Sequence, residues 1–193
     1  MSLSMLLALT SVGAAGADTE PPAEPPADVP QRHGEAESLG LSLLNCTRTG
    51  GWVRADGTCK GGDLGVYSAR LFSPRLDPLR LRPRISRQVA FAWASELAVA
   101  GACDHVLPGK PELRTRFSAA GFSGPTFGEN VGCSWGSMPP ADMVIRTHRS
   151  MQAEKRDRGW HWRNMKDRAF RSVGIGVASI DGRTIIVYDF YGR

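Results

Sequence analysis

With 193 residues, 41% apolar and 22% charged, the chain is too apolar for a disordered polymer and too short for two ordinary domains. No apolar run approaches the roughly 20 residues of a membrane span. The net charge of +5 is unevenly spread: residues 18–37 carry six acids against Arg32, so residues 38–193 hold 23 basic and 13 acidic side chains, a surplus of +10. Such a surplus suits solubility or an anionic partner, such as lipid headgroups or wall polymers.

In chain order, residues 1–17 read as a signal peptide. A short apolar stretch, Met5 to Val12, leads to Ala15 and Ala17 at small-residue cleavage positions, although no Lys or Arg precedes it. The expected destination is therefore secreted, outside the cell. Residues 18–37, with Pro21-Pro22, Pro25-Pro26 and many acids, bury too little apolar surface to order and read as a disordered spacer. Ser38 is placed as the cap of a short helix running to Asn45. After Pro83, Ile85, Val89, Ala92, Trp93 and Leu97 recur at helical spacing and Gly101 ends the run. Pro111 opens a helical turn through Ala119, and Pro139-Pro140 opens a long helix through Lys155 with Met143, Val144, Thr147 and Met151 on one face. Two runs rich in Val, Ile and Tyr, 172–180 and 184–191, flank Asp181-Gly182, a strong hairpin turn. Helices and antiparallel strands in one domain make an α+β fold.

The four cysteines, Cys46, Cys59, Cys103 and Cys133, contain no Cys-x-x-Cys pair, which argues against a zinc ribbon or thioredoxin-type site and for disulfides. Four cysteines allow three pairings. The favoured one is Cys46–Cys59, closing the Gly-rich loop Thr49 to Trp52, with Cys103–Cys133.

Four side chains carry potential chemistry: His105, Glu129, Glu154 and His161. Two imidazoles and two carboxylates suffice for a divalent ion with an open water position, or for a general base and its orienting partner. His148, six residues before Glu154, falls on another side of the helix and reads as a surface or packing residue. Trp160, Trp162 and Trp135, near Arg158 and Arg163, offer rings for a sugar or a lipid's apolar part, with Trp162 expected in the core. No Ser or Cys nucleophile has an evident base beside it.

The order of short motifs resembles that of the CAP superfamily, the cysteine-rich secretory, antigen-five and pathogenesis-related proteins, in its bacterial form. The resemblance covers residues 38–193. It runs through Leu44-Asn45, Ala90 to Ala94 with Glu96-Leu97, Cys103-Asp104-His105, Gly128 to Val131, Met151 to Lys155, His161 to Met165, Val173 to Ala178 and Tyr188-Asp189-Phe190. It departs from the family at Met151, where a tryptophan is usual, and at Trp160 and Trp162, which flank His161.

The resemblance implies a three-layer α-β-α sandwich with a C-terminal hairpin and one cleft lined by His105, Glu129, Glu154 and His161, with Trp160 at its rim. Two functions follow as expectations. In the first, a secreted monomer binds a lipid or cell-envelope ligand, with His105 and His161 holding a zinc, calcium or magnesium ion. In the second, the same ion serves a peptidase or esterase in which Glu129 or Glu154 is the general base. Nucleic acid is not an expected partner.

Overall fold

In the computed structural model, which describes residues 29–61 and 72–192, the hairpin at Asp181-Gly182 organises the rest. Both turn residues take positive φ, 49° and 71°, the geometry that lets two strands leave a two-residue turn with matching twist. The strands it joins, β6 (Ser172–Ile180) and β7 (Arg183–Gly192), pair along their full length. A further antiparallel strand, β5 (Thr126–Trp135), pairs with β7 and closes the sheet on that side. On the other side two short strands share the edge of β6: β1 (Gln31–Arg32), antiparallel, and β4 (Arg80–Leu81), parallel.

Between those two short strands the edge of β6 is satisfied by side chains. The Ile175 N–H donates to Ser86 Oγ at 3.0 Å and the Val177 N–H to Glu37 Oε1 at 3.3 Å, so the open ladder positions keep partners. Glu37 in turn accepts from Arg32 at 2.6 and 2.8 Å. These contacts move the start of the domain. Where the composition reads 18–37 as spacer, residues 31–37 form β1 and the first turn of α1 (Gly34–Arg48), because one of the acids expected to keep the segment solvated, Glu37, is spent on Arg32 and a sheet amide. Ser38, expected as a helix cap, lies inside α1 and donates to the Gly34 carbonyl. The signal-like residues 1–17 and the spacer to residue 28 lie outside the described residues.

Both faces of the sheet are buried, which is why β6 and β7 read as nearly continuous apolar runs. Ile186, Tyr188 and Phe190 face α1, α5 (Pro140–Ala153) and α6 (Trp160–Lys166), while Ile185 and Val187 face the opposite layer. That layer is one helical stretch: α2 (Pro83–Ile85), a π-helical turn (Ser86–Phe91) and α3 (Ala92–Ala100), followed by α4 (Leu113–Ala119). Gly101 ends it at φ 62°, as the sequence signals.

The π turn rests directly on β6 at two glycines. A Cβ at Gly174 would lie 2.4 Å from Ile85 and one at Gly176 2.2 Å from the Phe91 nitrogen. Elsewhere a small hairpin of β2 (Trp52–Val53) and β3 (Cys59–Lys60) is tied to α1 by the Cys46–Cys59 disulfide, and Cys103–Cys133 ties the loop after α3 to β5. Both pairings are the favoured ones.

At the end of α1, Arg48 is buried and donates to the carbonyls of Asp77, Met165, Asp167 and Phe170 at 2.7–3.0 Å. A cation at a helix C-terminus complements the helix dipole, and here it also fixes the exit of α6. Burial pushes its guanidinium down to about 10.

Candidate functional site

The candidate residues gather around β5, whose outer edge is the free edge of the sheet. Side chains alternate along a strand, so Glu129 and Asn130 leave toward opposite layers. Glu129 faces α4. Its Oε2 accepts from Arg116 Nη2 at 2.8 Å and its Oε1 faces His105 Nδ1 at 2.8 Å, with the Glu129 side chain only 2% exposed. Arg116 is held over the Trp93 ring, its Cζ 4.0 Å from the centroid. His105 stands in the loop after α3, fixed by the neighbouring Cys103 disulfide and by Asp104, whose Oδ1 accepts the His105 N–H at 2.6 Å. The hydrogen bond to Glu129 raises the His105 pKa against the opposing effect of its partial burial.

Across the ladder, Glu129 is in register with Asp189, which is fully buried. Burial first, and the Glu129 charge second, push the Asp189 carboxyl well above the ordinary carboxylate range. It stands beside the buried Glu129–Arg116 pair. Neither Asp189 nor Arg116 was identified by spacing. The readable signal was Asp189 itself, a lone acid in the apolar run Ile185 to Tyr191.

The second pair lies across β5. Glu154 caps α5 and His161 sits in the first turn of α6, with His161 Nδ1 2.5 Å from Glu154 Oε1 and the His161 N–H donating to Oε2 at 3.1 Å. Gly159 makes this possible, since a Cβ there would lie 2.3 Å from Glu154 Oε2. Two asparagines fix α6 to the strand. Asn164 donates to the Glu129 carbonyl at 3.0 Å and to Asn130 Oδ1 at 2.8 Å, and Asn130 donates to the His161 carbonyl at 3.1 Å.

Both histidines thus turn Nδ1 to a carboxylate and leave Nε2 free of protein partners among the described residues. A carboxylate at Nδ1 sets the tautomer and makes Nε2 the better donor to a metal or acceptor of a proton.

Glu154 and His161 line a cavity of about 480 Å³ along β5, with Met143, Arg146, Met151 and Trp135 among its walls. His105 and Glu129 line another, of about 380 Å³, with Val106 and Arg114. The alternation of β5 sends Glu129 to one side of the strand, while α5 and α6 hold Glu154 and His161 on the other. Among the described residues, no group of three or more His, Cys, Asp or Glu is arranged to hold a metal ion.

Of the tryptophans, Trp160 is 76% exposed with Arg163 stacked at 4.8 Å, Trp135 is 54% exposed on the rim of the larger cavity, and Trp162 packs in the core as expected. Of the two readings of His148, surface or packing, the structure shows packing. His148 is fully buried, with Nε2 2.8 Å from Thr47 Oγ1, and burial pushes its imidazole down to about 3. Thr47 also donates to Gln152, whose amide holds both backbone groups of Val53.

No protein-family model and no curated protein matches the chain. Solved structures do. NaASP2, in a crystal structure with Zn2+, is 13% identical over 82% of this chain and 80% of its own, with a TM-score of 0.52. An extracellular protein containing a SCP domain from Bacillus anthracis str. Ames is 17% identical over 61% of this chain, with a TM-score of 0.47; the match spans 35% of that protein. BmVAL-1 is 16% identical over 83% of this chain and 78% of its own, with a TM-score of 0.49. At these identities the likeness is one of fold.

Proposed function

From a chain that has the CAP fold, of which the SCP domain is one form, we propose an exported binding module that takes a lipid or cell-envelope ligand into the cavity along β5. A divalent cation held through imidazole nitrogen accompanies that ligand. The observation that carries this reading is the shared form of the two His–Glu pairs, each with Nδ1 on a carboxylate and Nε2 open. The donor chemistry favours zinc over calcium or magnesium. Each oxygen of Glu129 and Glu154 already holds a hydrogen-bond partner, whereas both imidazole Nε2 atoms are without one among the described residues, a donor set that suits zinc better than the oxygen-rich shells of calcium and magnesium. That a relative by fold, NaASP2, was crystallised with Zn2+ supports the same choice.

The two disulfides support an oxidising compartment, and the surplus of +10 over residues 38–193 supports residence beside an anionic envelope. The hydrolase alternative draws less support, because each glutamate already orients its histidine, Glu129 with its second oxygen on Arg116, rather than standing apart as a base.

The test is thermal unfolding of chelator-stripped protein with Zn2+, Ca2+ or Mg2+, beside the His105→Ala/His161→Ala double variant. Zinc at 100 times its Kd is expected to raise the midpoint by roughly 5–10 °C, with no rise in the variant. An equal rise in the variant, or none with zinc, overturns the reading.

A further inference from the structure

The walls of the larger cavity carry information about what fits it. Five consecutive residues of β5, Val131, Gly132, Cys133, Ser134 and Trp135, all line it. Successive side chains of a strand point to opposite faces, so a cavity confined to one face would meet only every second residue. A cavity that meets five in a row lies against the strand's edge, where the backbone N–H and C=O groups point. That edge is the outer one, because β7 occupies the other. Among the described residues no backbone or side-chain group bonds to the outer edge of 131–135, whereas farther along Asn164 already takes the Glu129 carbonyl.

The flanks come from both layers. Cys103, on its disulfide, stands on one side; Met143, Arg146, Thr147, Ser150 and Met151 of α5 stand on the other. The axis of the groove can be read from two contacts. Asn130 Nδ2 lies 3.7 Å from Met151 Sδ, and a Cβ at Gly132 would touch Thr147 at 2.0 Å, so β5 and α5 run past each other antiparallel. His161 and Glu154 therefore stand at the Val131 end, and Met143 and Arg146 toward Trp135. Arg146 is exposed, with no partner among the described residues. Five strand residues extend about 13 Å, and the eight steps from Arg146 to Glu154 rise about 12 Å along the helix axis.

From this we propose that the groove takes an extended peptide of four or five residues, which adds as a strand to the free edge of Val131–Trp135 and sets an acidic group against Arg146. Backbone pairing supplies affinity in such strand addition, and the flanking walls select side chains. Exposed edges are otherwise shielded in stable proteins, by charge, a bulge or a covering loop. Here the edge is recessed between two layers, out of reach of a second sheet and open to a single strand. Arg146 and the basic domain favour an acidic peptide over a basic one. The inference rests on the reading of this cavity as a ligand site and, of the two ligand classes proposed for it, takes the cell-envelope one, as a peptide, over the lipid.

The probe is acetyl-Thr-Val-Thr-Val-Asp with a free C-terminal carboxylate, titrated into the ¹⁵N-labelled protein. Controls are the same peptide N-methylated at every second residue in either register, and sodium dodecanoate. The peptide is expected to shift the backbone amides of Gly132 to Trp135 and the Trp135 indole saturably below millimolar concentration. One N-methylated form should bind at least tenfold more weakly, and Arg146→Glu should weaken the parent peptide by a similar factor. No shift at those amides up to several millimolar overturns the proposal, as does equal binding by both N-methylated forms. Dodecanoate shifting them while the peptide does not also overturns it, in favour of a lipid occupant. The zinc response is read on the same sample. A zinc shift without peptide binding removes this inference and leaves the binding module, and peptide binding without a zinc shift removes only the cation.

Discussion

Three buried residues show how charge is managed around the site, and each makes a different demand. His148 is neutral in the fold because burial holds its pKa near about 3, whereas the unfolded chain takes up the proton near 6.5. The unfolded state therefore binds more protons between those values, and stability is lost as pH falls below 6.5, by up to roughly 5 kcal/mol at the lower end. Urea unfolding at pH 7, 5 and 4 should show this decline, and His148→Gln should flatten it. Around Glu129 the balance is between Arg116 and Asp189. Since burial and the Glu129 charge hold the Asp189 carboxyl well above the ordinary carboxylate range, Asp189→Asn should change stability at pH 7 by no more than about 1 kcal/mol. Arg116→Ala strands the buried Glu129 carboxylate and should cost about 3–5 kcal/mol. Equal costs for the two variants would mean that Asp189 is ionised. His105, Glu129, Glu154 and His161 were legible as candidates from motif order; their division into two pairs was not, because it depends on which face of β5 each neighbour occupies.

At the scale of elements, the hairpin, the helix ended by Gly101 and the helix opened by Pro140 were legible because each rests on local chemistry: a two-residue turn, a left-handed cap, a preset φ. The short strands β1 and β4 were not, since two residues give no periodicity and their pairing with β6 is a tertiary event. The π turn is of the same kind. Its backbone lies on Gly174 and Gly176, so the wider, underwound turn in the helix is matched by two missing side chains in the strand. Gly176→Ala should destabilise the protein by about 2–4 kcal/mol, because a Cβ 2.2 Å from the Phe91 nitrogen meets backbone that cannot swing aside. Gly34→Ala, with nothing within 4 Å at the start of α1, should be neutral within about 0.5 kcal/mol. Chemical unfolding of the two variants side by side checks the assignment of that contact.

For the molecule as a whole, the sheet is a divider: helices cover both faces, and among the described residues the β5 side leaves an edge between the layers where His161, Glu154, Trp135 and Arg146 border one cavity. The three-layer arrangement was legible once the motif order pointed to a fold, while the position of the groove required the register of β5 on β7. The central claim is that both His–Glu pairs present Nε2 as an open donor. Side-chain nitrogen NMR tests it directly in a protein with four histidines. On adding zinc, the Nε2 resonances of His105 and His161 should move while their Nδ1 resonances, bound to Glu129 and Glu154, stay protonated, and the buried His148 should be unaffected. Zinc that leaves both Nε2 resonances in place, or shifts His33 in their stead, would contradict the account.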